Sequence, residues 1–257
     1  MPLKDMTLFG DRDKVAISIE RLKAFEPAEG YYVAVSGGKD STVIYDLVKR
    51  SGVKAEFHHS LTTIDPPEVI WHMREHQPDV VIHPPKMPLL KMMIEKQRCV
   101  PTHQKRWCCK YYKECGGVDR RVVTGIRSAE SHKRAGRRMI EECTRYYKKT
   151  YLHPIIDWSD EDVWEYINTK KLPYCSLYDE GFKRIGCVMC PIIGGVELLR
   201  HRARWPKIER AWHRAVIETY LKSKSAKRLF KDGEAYWDWW VSRKPIKNDI
   251  DQTTLFE

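Results

Sequence analysis

Hydrophobic residues along the chain occur in two alternating patterns, short β-prone runs and segments with helical spacing. The β-prone runs predict strands at residues 31–35, 55–61, 80–83 and 121–124. The helical spacing predicts helices at residues 17–25, 41–48, 67–76 and 89–96. Because strands that alternate with helices usually pair in parallel, the pattern predicts an α/β fold with a doubly wound parallel sheet.

The later part of the chain carries helix signals of a different kind. Ser159 and Asp162, three residues apart, match a capping box and predict that a helix begins there. From about Gly195 the chain is rich in Trp and basic residues, and residues 198–221 have helical spacing, which predicts a C-terminal helical appendage. We therefore expect three segments: an N-terminal segment 1–27, an α/β domain 28–194, and a basic, Trp-rich helical region with a tail at 195–257.

The composition suits a folded domain. With 257 residues, 42% of them hydrophobic and 32% charged, the chain is long enough to bury a core. No apolar run reaches the roughly 18 residues that a membrane span needs, and the N-terminal stretch lacks the apolar segment of a secretory signal. We therefore expect a cytoplasmic protein. Its eight cysteines then favour metal binding or redox chemistry over disulfides.

The net charge of +11 is concentrated in one part of the chain. Residues 96–150 contain 16 Lys and Arg against 5 Asp and Glu, which accounts for the whole excess. A local basic excess predicts an anionic partner, either the phosphates of a nucleotide or the backbone of a nucleic acid. The alternative is a solvated surface, to which Arg137, Arg138, Lys148 and Lys149 would belong.

Residues 36–41, with the sequence Ser-Gly-Gly-Lys-Asp-Ser, lie where the first predicted strand of the sheet turns into a helix. The glycines allow backbone N–H groups to approach an anion, the helix N-terminus adds its positive dipole end, and Lys39 adds a cation. This is a phosphate-binding arrangement, although it matches neither the Walker pattern nor the dinucleotide-binding glycine motif. The alternative is an ordinary strand-to-helix turn that happens to contain two glycines.

The cysteines form two pairs that suit a metal centre. Cys108 and Cys109 are adjacent, and Cys187 and Cys190 form a Cys-x-x-Cys motif. Four thiolates can enclose an iron–sulfur cluster or a zinc ion. The other four cysteines fit no such pattern and are interpreted as ordinary buried or half-exposed residues: Cys99, Cys115, Cys143 and Cys175.

Together these motifs resemble the phosphoadenylyl-sulfate (PAPS/APS) reductase family of the adenine nucleotide alpha hydrolases, the PP-loop or N-type ATP pyrophosphatases. The resemblance covers about residues 28–193. It includes the phosphate loop, the two cysteine pairs, and Lys113 five positions after Cys108. It continues through segments 63–68, 123–134, 153–158, 162–166 and 177–187.

The resemblance implies the ligands of the candidate site. The nucleotide, ATP or APS/PAPS, would be bound with Mg²⁺, to which Asp40 would contribute, and the cysteine pairs would hold a [4Fe–4S] cluster, with zinc as the alternative. Lys39, Asp40 and Arg127 would be the catalytic residues. The residues implied in nucleotide binding are Ser36, Gly37, Gly38, Lys39, Asp40, Ser41, Asp65, Arg127 and Arg134. For the two arginines, the alternative is a surface ion pair with Glu130 or Glu141.

Two departures from the reductases decide the expected function. Reductases of this family carry a nucleophilic cysteine near the C-terminus, whereas the last cysteine here is Cys190. Reductases also commonly have a degraded phosphate loop, whereas this loop is intact. We therefore expect ATP to be cleaved to AMP and pyrophosphate, adenylylating a nucleic acid or a metabolite for sulfur transfer with a sulfur or electron donor protein.

Two alternative functions remain open at the level of the sequence. The first is a sulfonucleotide reductase whose thiol is supplied by Cys175, by Cys115 or by a partner. The second is a nucleic-acid-binding module with a vestigial nucleotide site.

The C-terminal region suggests further partners. Basic residues at 200–214 alternate with Trp205 and Trp212, which predicts a surface for nucleic acid, or else a helix whose Trp stripe packs on the α/β core with Arg outward. The terminal residues Gln252, Thr253, Thr254, Leu255 and Phe256 resemble the short peptide by which bacterial proteins bind the sliding clamp.

Overall fold

The computed structural model describes residues 3–7, 10–143 and 148–246. Packing divides the chain into two compact units whose segments alternate along the sequence. The first unit comprises Met1–Ser60, Pro66–His83 and Glu114–Gly186, and the second comprises Leu61–Asp65, Pro84–Lys113 and Cys187–Glu257. The three segments expected from the sequence, with bounds at 27 and 194, stay a prediction.

The strands described in the structure belong to the first unit. β1 (Lys4–Thr7) and β2 (Gly10–Asp13) form an antiparallel pair. The main sheet consists of β3 (Tyr31–Ala34), β4 (Ala55–Ser60), β5 (Val80–His83), β6 (Arg121–Val123), β7 (Ile140–Cys143) and β8 (Lys149–Leu152).

The order of the main sheet is β5-β4-β3-β6-β8-β7, and neighbouring strands are parallel except for β7 with β8. Val33 of β3 lies opposite Phe57 of β4 and Val123 of β6, and all three are buried. Since the sheet extends from β3 in two directions, the predicted α/β fold with a doubly wound, mostly parallel sheet is confirmed.

Ten α-helices are described. They are α1 (Lys14–Ala24), α2 (Lys39–Ser51), α3 (Pro67–His76), α4 (Leu89–Met92), α5 (His132–Ala135), α6 (Asp160–Lys170), α7 (Gly195–Arg204), α8 (Pro206–Lys222), α9 (Lys224–Leu229) and α10 (Gly233–Ser242). Single turns of π-helix at Met93–Gln97 and Cys109–Lys113, and of 3₁₀-helix at Ser128–Glu130 and Ser176–Tyr178, complete the helical structure. Among these residues, no helix has both the length and the apolar character that crossing a bilayer requires.

Two differences from the sequence pattern have local causes. The spacing over 198–221 belongs to two helices, because Pro206 begins α8 and a proline suits a first turn but not a helix interior. Strand β7 escaped prediction because its sequence, Ile-Glu-Glu-Cys, has little apolar character and the strand lies at the edge of the sheet.

The C-terminal helices of the second unit bury most of their tryptophans. Trp212 on α8 is fully buried, with its ring centroid 4.7 Å from that of Trp240 on α10, and Trp205 and Trp237 are also buried. The burial of these rings agrees with the second interpretation, and their packing on the α/β core stays a prediction. The rival expectation, that bases stack on Trp205 and Trp212, is wrong because neither ring is accessible.

The capping box at the start of α6 provides a stability test. The Ser159 hydroxyl accepts the N–H of Asp162 at 3.1 Å, and Asp162 Oδ2 accepts the N–H of Ser159 at 2.7 Å. Ser159→Ala should therefore lower the free energy of unfolding by about 1 kcal/mol, measured by urea denaturation. Ser131→Ala is the matched control, since Ser131 precedes α5 without a capping bond. Equal losses in the two variants would contradict the assignment.

Candidate functional site

The phosphate-loop motif of the first unit lies between β3 and α2. Residues 36–38 follow the carboxyl end of β3, and Lys39 begins α2. Because β4 and β6 flank β3 on opposite sides, this is the point where the strand order reverses. Open α/β sheets bind their ligands at this position.

Two glycines allow the close packing of this loop. Gly37 has a φ of 72°, and a Cβ there would lie 2.5 Å from Val69 Cγ1. Gly125 follows β6, and a Cβ on it would lie 2.9 Å from the carbonyl carbon of Asp40. Any larger residue at either position would push the loop or the start of α2 out of place.

Hydroxyl groups organise the loop. Ser36 Oγ and Ser41 Oγ lie 3.1 Å apart, and Ser41 Oγ donates to the carbonyl of Gly38 at 2.9 Å. The hydroxyl of Tyr178 accepts the N–H of Lys39 at 2.8 Å. Burial raises the pKa of Tyr178, so this hydroxyl keeps its proton at neutral pH and stays neutral beside the loop.

Four charged side chains close a ring at the start of α2. The guanidinium of Arg127 donates from Nε to Asp40 Oδ1 at 2.6 Å and from Nη2 to Asp160 Oδ1 at 2.9 Å. Lys39 Nζ completes the ring, 3.0 Å from Asp160 Oδ1 and 3.6 Å from Asp40 Oδ2. Arg127 is only 2% exposed, whereas Asp160 is 56% exposed. We call this set, Lys39, Asp40, Arg127 and Asp160, the ion ring.

The ion ring is charged around neutral pH. Burial alone would raise the pKa of Asp160, but the hydrogen bond and charge of Lys39 and the charge of Arg127 outweigh it and lower the pKa. Burial works against the charge of Arg127 as well, yet Asp40 outweighs it and raises the pKa of the guanidinium. The site therefore offers two cations and two carboxylates at one helix N-terminus.

The sequence missed two residues of this site. Asp160 escaped because it sits inside the capping motif that begins at Ser159, where an acidic residue is ordinary. Tyr178 escaped prediction because it lies 139 residues from Lys39 in the sequence, and the two meet only when the chain is folded. The only available signal was that both fall within or beside the segments that resemble the reductase family.

Arg134 and Asp65 are placed differently from the ion ring. Arg134 forms an ion pair with Glu130, the surface pairing that the sequence left open. Asp65 belongs to the second unit, where its Oδ2 accepts the N–H of Thr62 at 2.6 Å and closes a turn. Roles for Asp65 and Arg134 in binding the nucleotide stay predictions.

A buried histidine, His153, directly follows β8. The side chain of His153 is fully buried, with Nδ1 2.8 Å from Thr124 Oγ1 and Nε2 3.7 Å from Glu141 Oε2. Burial lowers the pKa of His153 to about 4, although Glu141 acts in the opposite direction. The ring is therefore neutral at physiological pH.

Both cysteine pairs lie in the second unit. Cys108 directly precedes the π-helical turn that Cys109 begins, and Cys187 and Cys190 lie on the loop that leads to α7. The eight cysteines all lie within the described residues, and none of them forms a disulfide. The pKa of Cys108 is raised, first by the hydrogen bond to Cys109, then by burial and by the charges of Cys109, Cys187 and Cys190. Cys109, Cys187 and Cys190 therefore lie within electrostatic reach of the Cys108 thiol.

The backbone of residues 187–190 is held by side chains from the C-terminal helices. Burial lowers the pKa of His201 to about 4, so its neutral Nδ1 accepts the N–H of Met189 at 3.1 Å. Trp212 Nε1 donates to the carbonyl of Val188 at 3.3 Å, and Arg243 Nη2 donates to the carbonyls of Met189 at 3.0 Å and Cys190 at 3.3 Å. The last described helices therefore position the second cysteine pair.

Two further observations bear on a metal at the cysteines. The charge of Cys187 is the main cause of the raised pKa of Lys113, so this lysine lies within electrostatic reach of that thiol. Within residues 3–7, 10–143 and 148–246, however, no group of three or more His, Cys, Asp or Glu side chains is arranged as a metal site.

The basic segments are partly neutralised within the protein. In the 96–150 segment, Arg120 pairs with Glu56 at 3.0 Å and Arg137 pairs with Glu141. Lys149, expected at the surface, is buried and donates to backbone carbonyls. In the 200–214 segment, Arg202 pairs with Glu209 at 2.7 Å. Nucleic-acid binding by these segments stays a prediction, and the peptide resembling a sliding-clamp motif lies outside the described residues.

A protein-family model matches most of the part of the chain expected to form the α/β domain. Residues 30–193 match the model of the phosphoadenosine phosphosulfate reductase domain. Among solved structures, phosphoadenylyl-sulfate reductase from Candida auris, in a phosphate complex, superposes with a TM-score of 0.51 at 20% identity. That match covers 66% of this chain and 87% of the other, and at this identity it shows the fold alone.

Curated relatives extend the similarity beyond the family model. An uncharacterised protein of Methanocaldococcus jannaschii is 29% identical over 223 residues, which is 80% of this chain. The match spans 45% of that relative, so the chain covers less than half of its length. A protein named adenosine 5'-phosphosulfate reductase from Oceanobacillus iheyensis is 27% identical over 61% of this chain and 69% of its own length.

His153 predicts an acid-dependent loss of stability. The unfolded chain binds a proton at this histidine below its ordinary pKa of 6.5, whereas the folded chain does so only near 4. The free energy of unfolding should therefore fall as the pH drops from 6.5 towards 4. In His153→Gln this slope should shrink by up to about 1.4 kcal/mol per pH unit.

Urea denaturation at several pH values measures the slope. His132→Gln, which alters an exposed histidine of the same unit, is the control and should leave the slope unchanged. Identical slopes in the wild type and in His153→Gln would show that this histidine does not resist protonation.

Proposed function

Because the chain belongs to the phosphoadenosine phosphosulfate reductase domain family, we propose that it is an enzyme that cleaves ATP to AMP and pyrophosphate at residues 36–41. An oxygen of the acceptor bonds to the α-phosphorus as the bond from this phosphorus to the bridging oxygen breaks, and pyrophosphate leaves. Sulfur at the sulfide level, from a donor protein, then bonds to the acceptor atom that carries the activated oxygen as the bond from that atom to the oxygen breaks, and AMP leaves with the oxygen. The acceptor is a nucleic acid or a metabolite.

The ion ring is the observation that carries this proposal. It places Lys39 and two carboxylates at the N-terminus of α2, directly after two loop glycines and at the switch point of the sheet. Backbone N–H groups and a lysine suit the β- and γ-phosphates, which become the leaving group. Carboxylates are the protein ligands that Mg²⁺ prefers.

The side chains of the site take separate roles in this proposal. Ser36, Ser41 and Lys39 bind the phosphates that leave. Asp40, with Asp160 on the other side of the guanidinium, would hold Mg²⁺, which would neutralise charge on those phosphates. Arg127 is a positioning residue, because its buried guanidinium holds both carboxylates.

The four paired cysteines are proposed to hold a [4Fe–4S] cluster, with zinc as the alternative ligand of the same thiolates. Three features support this proposal. Both pairs lie in one unit, and the thiol of Cys108 lies within electrostatic reach of the other three. In addition, three side chains hold the Cys-x-x-Cys backbone. The cluster would stabilise the loop, adjust the charge of the site, or carry sulfur or electrons.

A second candidate function is the reduction of a sulfonucleotide, favoured by similarity to the Oceanobacillus iheyensis protein of that name. Its nucleophile would have to be Cys175, Cys115 or a partner's thiol. Cys175 is 1% exposed, and burial raises its pKa, which makes it a poor nucleophile. Cys115 is exposed.

ATP cleavage supplies the first test. Anaerobically purified protein should bind Mg·ATP and release AMP and pyrophosphate when nucleic acid or a cell metabolite fraction is added. Ser36→Ala with Lys39→Ala should lower turnover about 100-fold or more, because the leaving phosphates lose a hydroxyl and a cation. Pyrophosphate release and calorimetric titration measure the two effects.

Lys23→Ala, which removes an exposed lysine of α1, is the control and should leave turnover unchanged. Tight binding of adenylyl sulfate with no binding of ATP, and sulfite release with a thiol donor, would establish the reductase instead. Salt-sensitive binding of nucleic acid without nucleotide turnover would favour a binding module with a vestigial site.

The cysteines supply the second test. Purified protein should contain iron and acid-labile sulfide in equal amounts, and Cys108→Ser or Cys190→Ser should remove most of both, because each takes away one of four ligands. Elemental analysis and visible absorption measure the loss. Cys99→Ser and Cys115→Ser are the controls. Zinc without sulfide would identify the zinc alternative, and iron that survives Cys190→Ser would contradict the ligand assignment.

A further inference from the structure

The second unit contains a cavity that the proposed reaction does not use. It has a volume of about 340 Å³ and is lined by the segment 99–104 together with α10 and residues on either side of it. Pockets for small molecules begin at about 300 Å³. The cavity is therefore large enough for one compact ligand.

One wall of the cavity is a group of aromatic rings. The rings of Tyr236 and Trp239 are nearly parallel, at 9° with centroids 5.6 Å apart, and Phe230 lies 5.0 Å from the first and 5.1 Å from the second. Trp240 also lines the cavity. Tyr236 and Trp240 are buried, whereas Trp239 and Phe230 are half-buried, so a planar ring would stack on Trp239 and Phe230.

Some polar atoms of the residues that line the cavity have hydrogen-bond partners, and others have none among the described residues. The hydroxyl of Tyr236 accepts the N–H of Val100 at 3.2 Å, and Trp240 Nε1 donates to the carbonyl of Pro101 at 2.9 Å. Trp239 Nε1 and Arg243 Nε are also buried, but neither has a hydrogen-bond partner among the described residues. Buried donors without acceptors cost free energy, so a ligand that brings acceptors would be favoured.

Basic residues at the cavity indicate a ligand that carries an anion. Arg243 and the exposed basic side chain of Lys244 both line the cavity. Burial lowers the pKa of Arg243 only to about 10, so its guanidinium is cationic at neutral pH. A ligand that matches the site is therefore planar, carries acceptor atoms on its edge, and has an attached anion. A nucleobase with its phosphate has all three properties, since every base presents acceptors on its edge.

We propose that this cavity binds an unpaired nucleobase together with its phosphate. The ligand comes either from a free mononucleotide or from a single-stranded nucleic acid, which share this chemistry. Pro191 lines the cavity directly after Cys190, so the base lies beside the second cysteine pair of the same unit. The inference does not depend on ATP cleavage at residues 36–41.

Titration of the full chain tests the proposal. Thymidine 5'-monophosphate and a fluorescent oligothymidylate of about eight nucleotides are the probes, because neither carries the adenine that the proposed ATP site takes. Tryptophan quenching and fluorescence anisotropy report the binding. Saturable binding of the monophosphate identifies a free nucleotide as the ligand, and binding of the oligonucleotide alone identifies a single strand.

Trp239→Leu should weaken binding about tenfold or more, because a base loses its stacking partner. Trp239→Phe, which keeps a ring but not the N–H, should weaken it only a fewfold. Trp71→Leu is the control, since Trp71 is 62% exposed and belongs to the first unit. No saturable binding of either probe, or equal affinity in the wild type and Trp239→Leu, would overturn the proposal. So would binding that Lys39→Ala abolishes and Trp239→Leu leaves intact.

Discussion

One buried guanidinium connects three segments of the first unit. Arg127 follows β6 and reaches Asp40 on α2 and Asp160 on α6, as well as the carbonyl of Trp158. A charge this deeply buried is tolerated only when it is paired, and loss of one partner typically costs about 3–5 kcal/mol. The geometry of the phosphate loop therefore depends on the same contacts that hold the sheet and its helices in place.

The ion ring also limits which ligand suits the site. Asp40 and Asp160 lie beside the lysine that a phosphate would need. An anion arriving alone would meet these carboxylates and compete with them for Lys39, whereas a divalent cation accompanying it would relieve the repulsion. This charge pattern therefore supports the proposal that the nucleotide binds together with Mg²⁺.

The C-terminal helices of the second unit hold a loop that belongs to the segment matched by the family model. His201, Trp212 and Arg243 all lie beyond residue 193, where the family match ends, and all three bind the backbone of residues 187–190. Basic and aromatic residues in this region therefore build a core and hold a loop. For this reason, the basic and aromatic pattern at residues 200–214, which is typical of nucleic-acid binding, contains two buried rings, Trp205 and Trp212.

Local sequence patterns were enough to predict the α/β class, four of the six strands of the main sheet, most of the helices and the position of the loop at residues 36–41, because hydrophobic period and glycine spacing are local properties. The sequence also identified Arg127 and the four cysteines as candidates through their resemblance to a family. Folding is what brings two carboxylates to Arg127 and places Asp160 and Tyr178 at the loop. Such partners are distant in the chain, and which charge meets which depends on how folded elements pack, a property that no local pattern encodes.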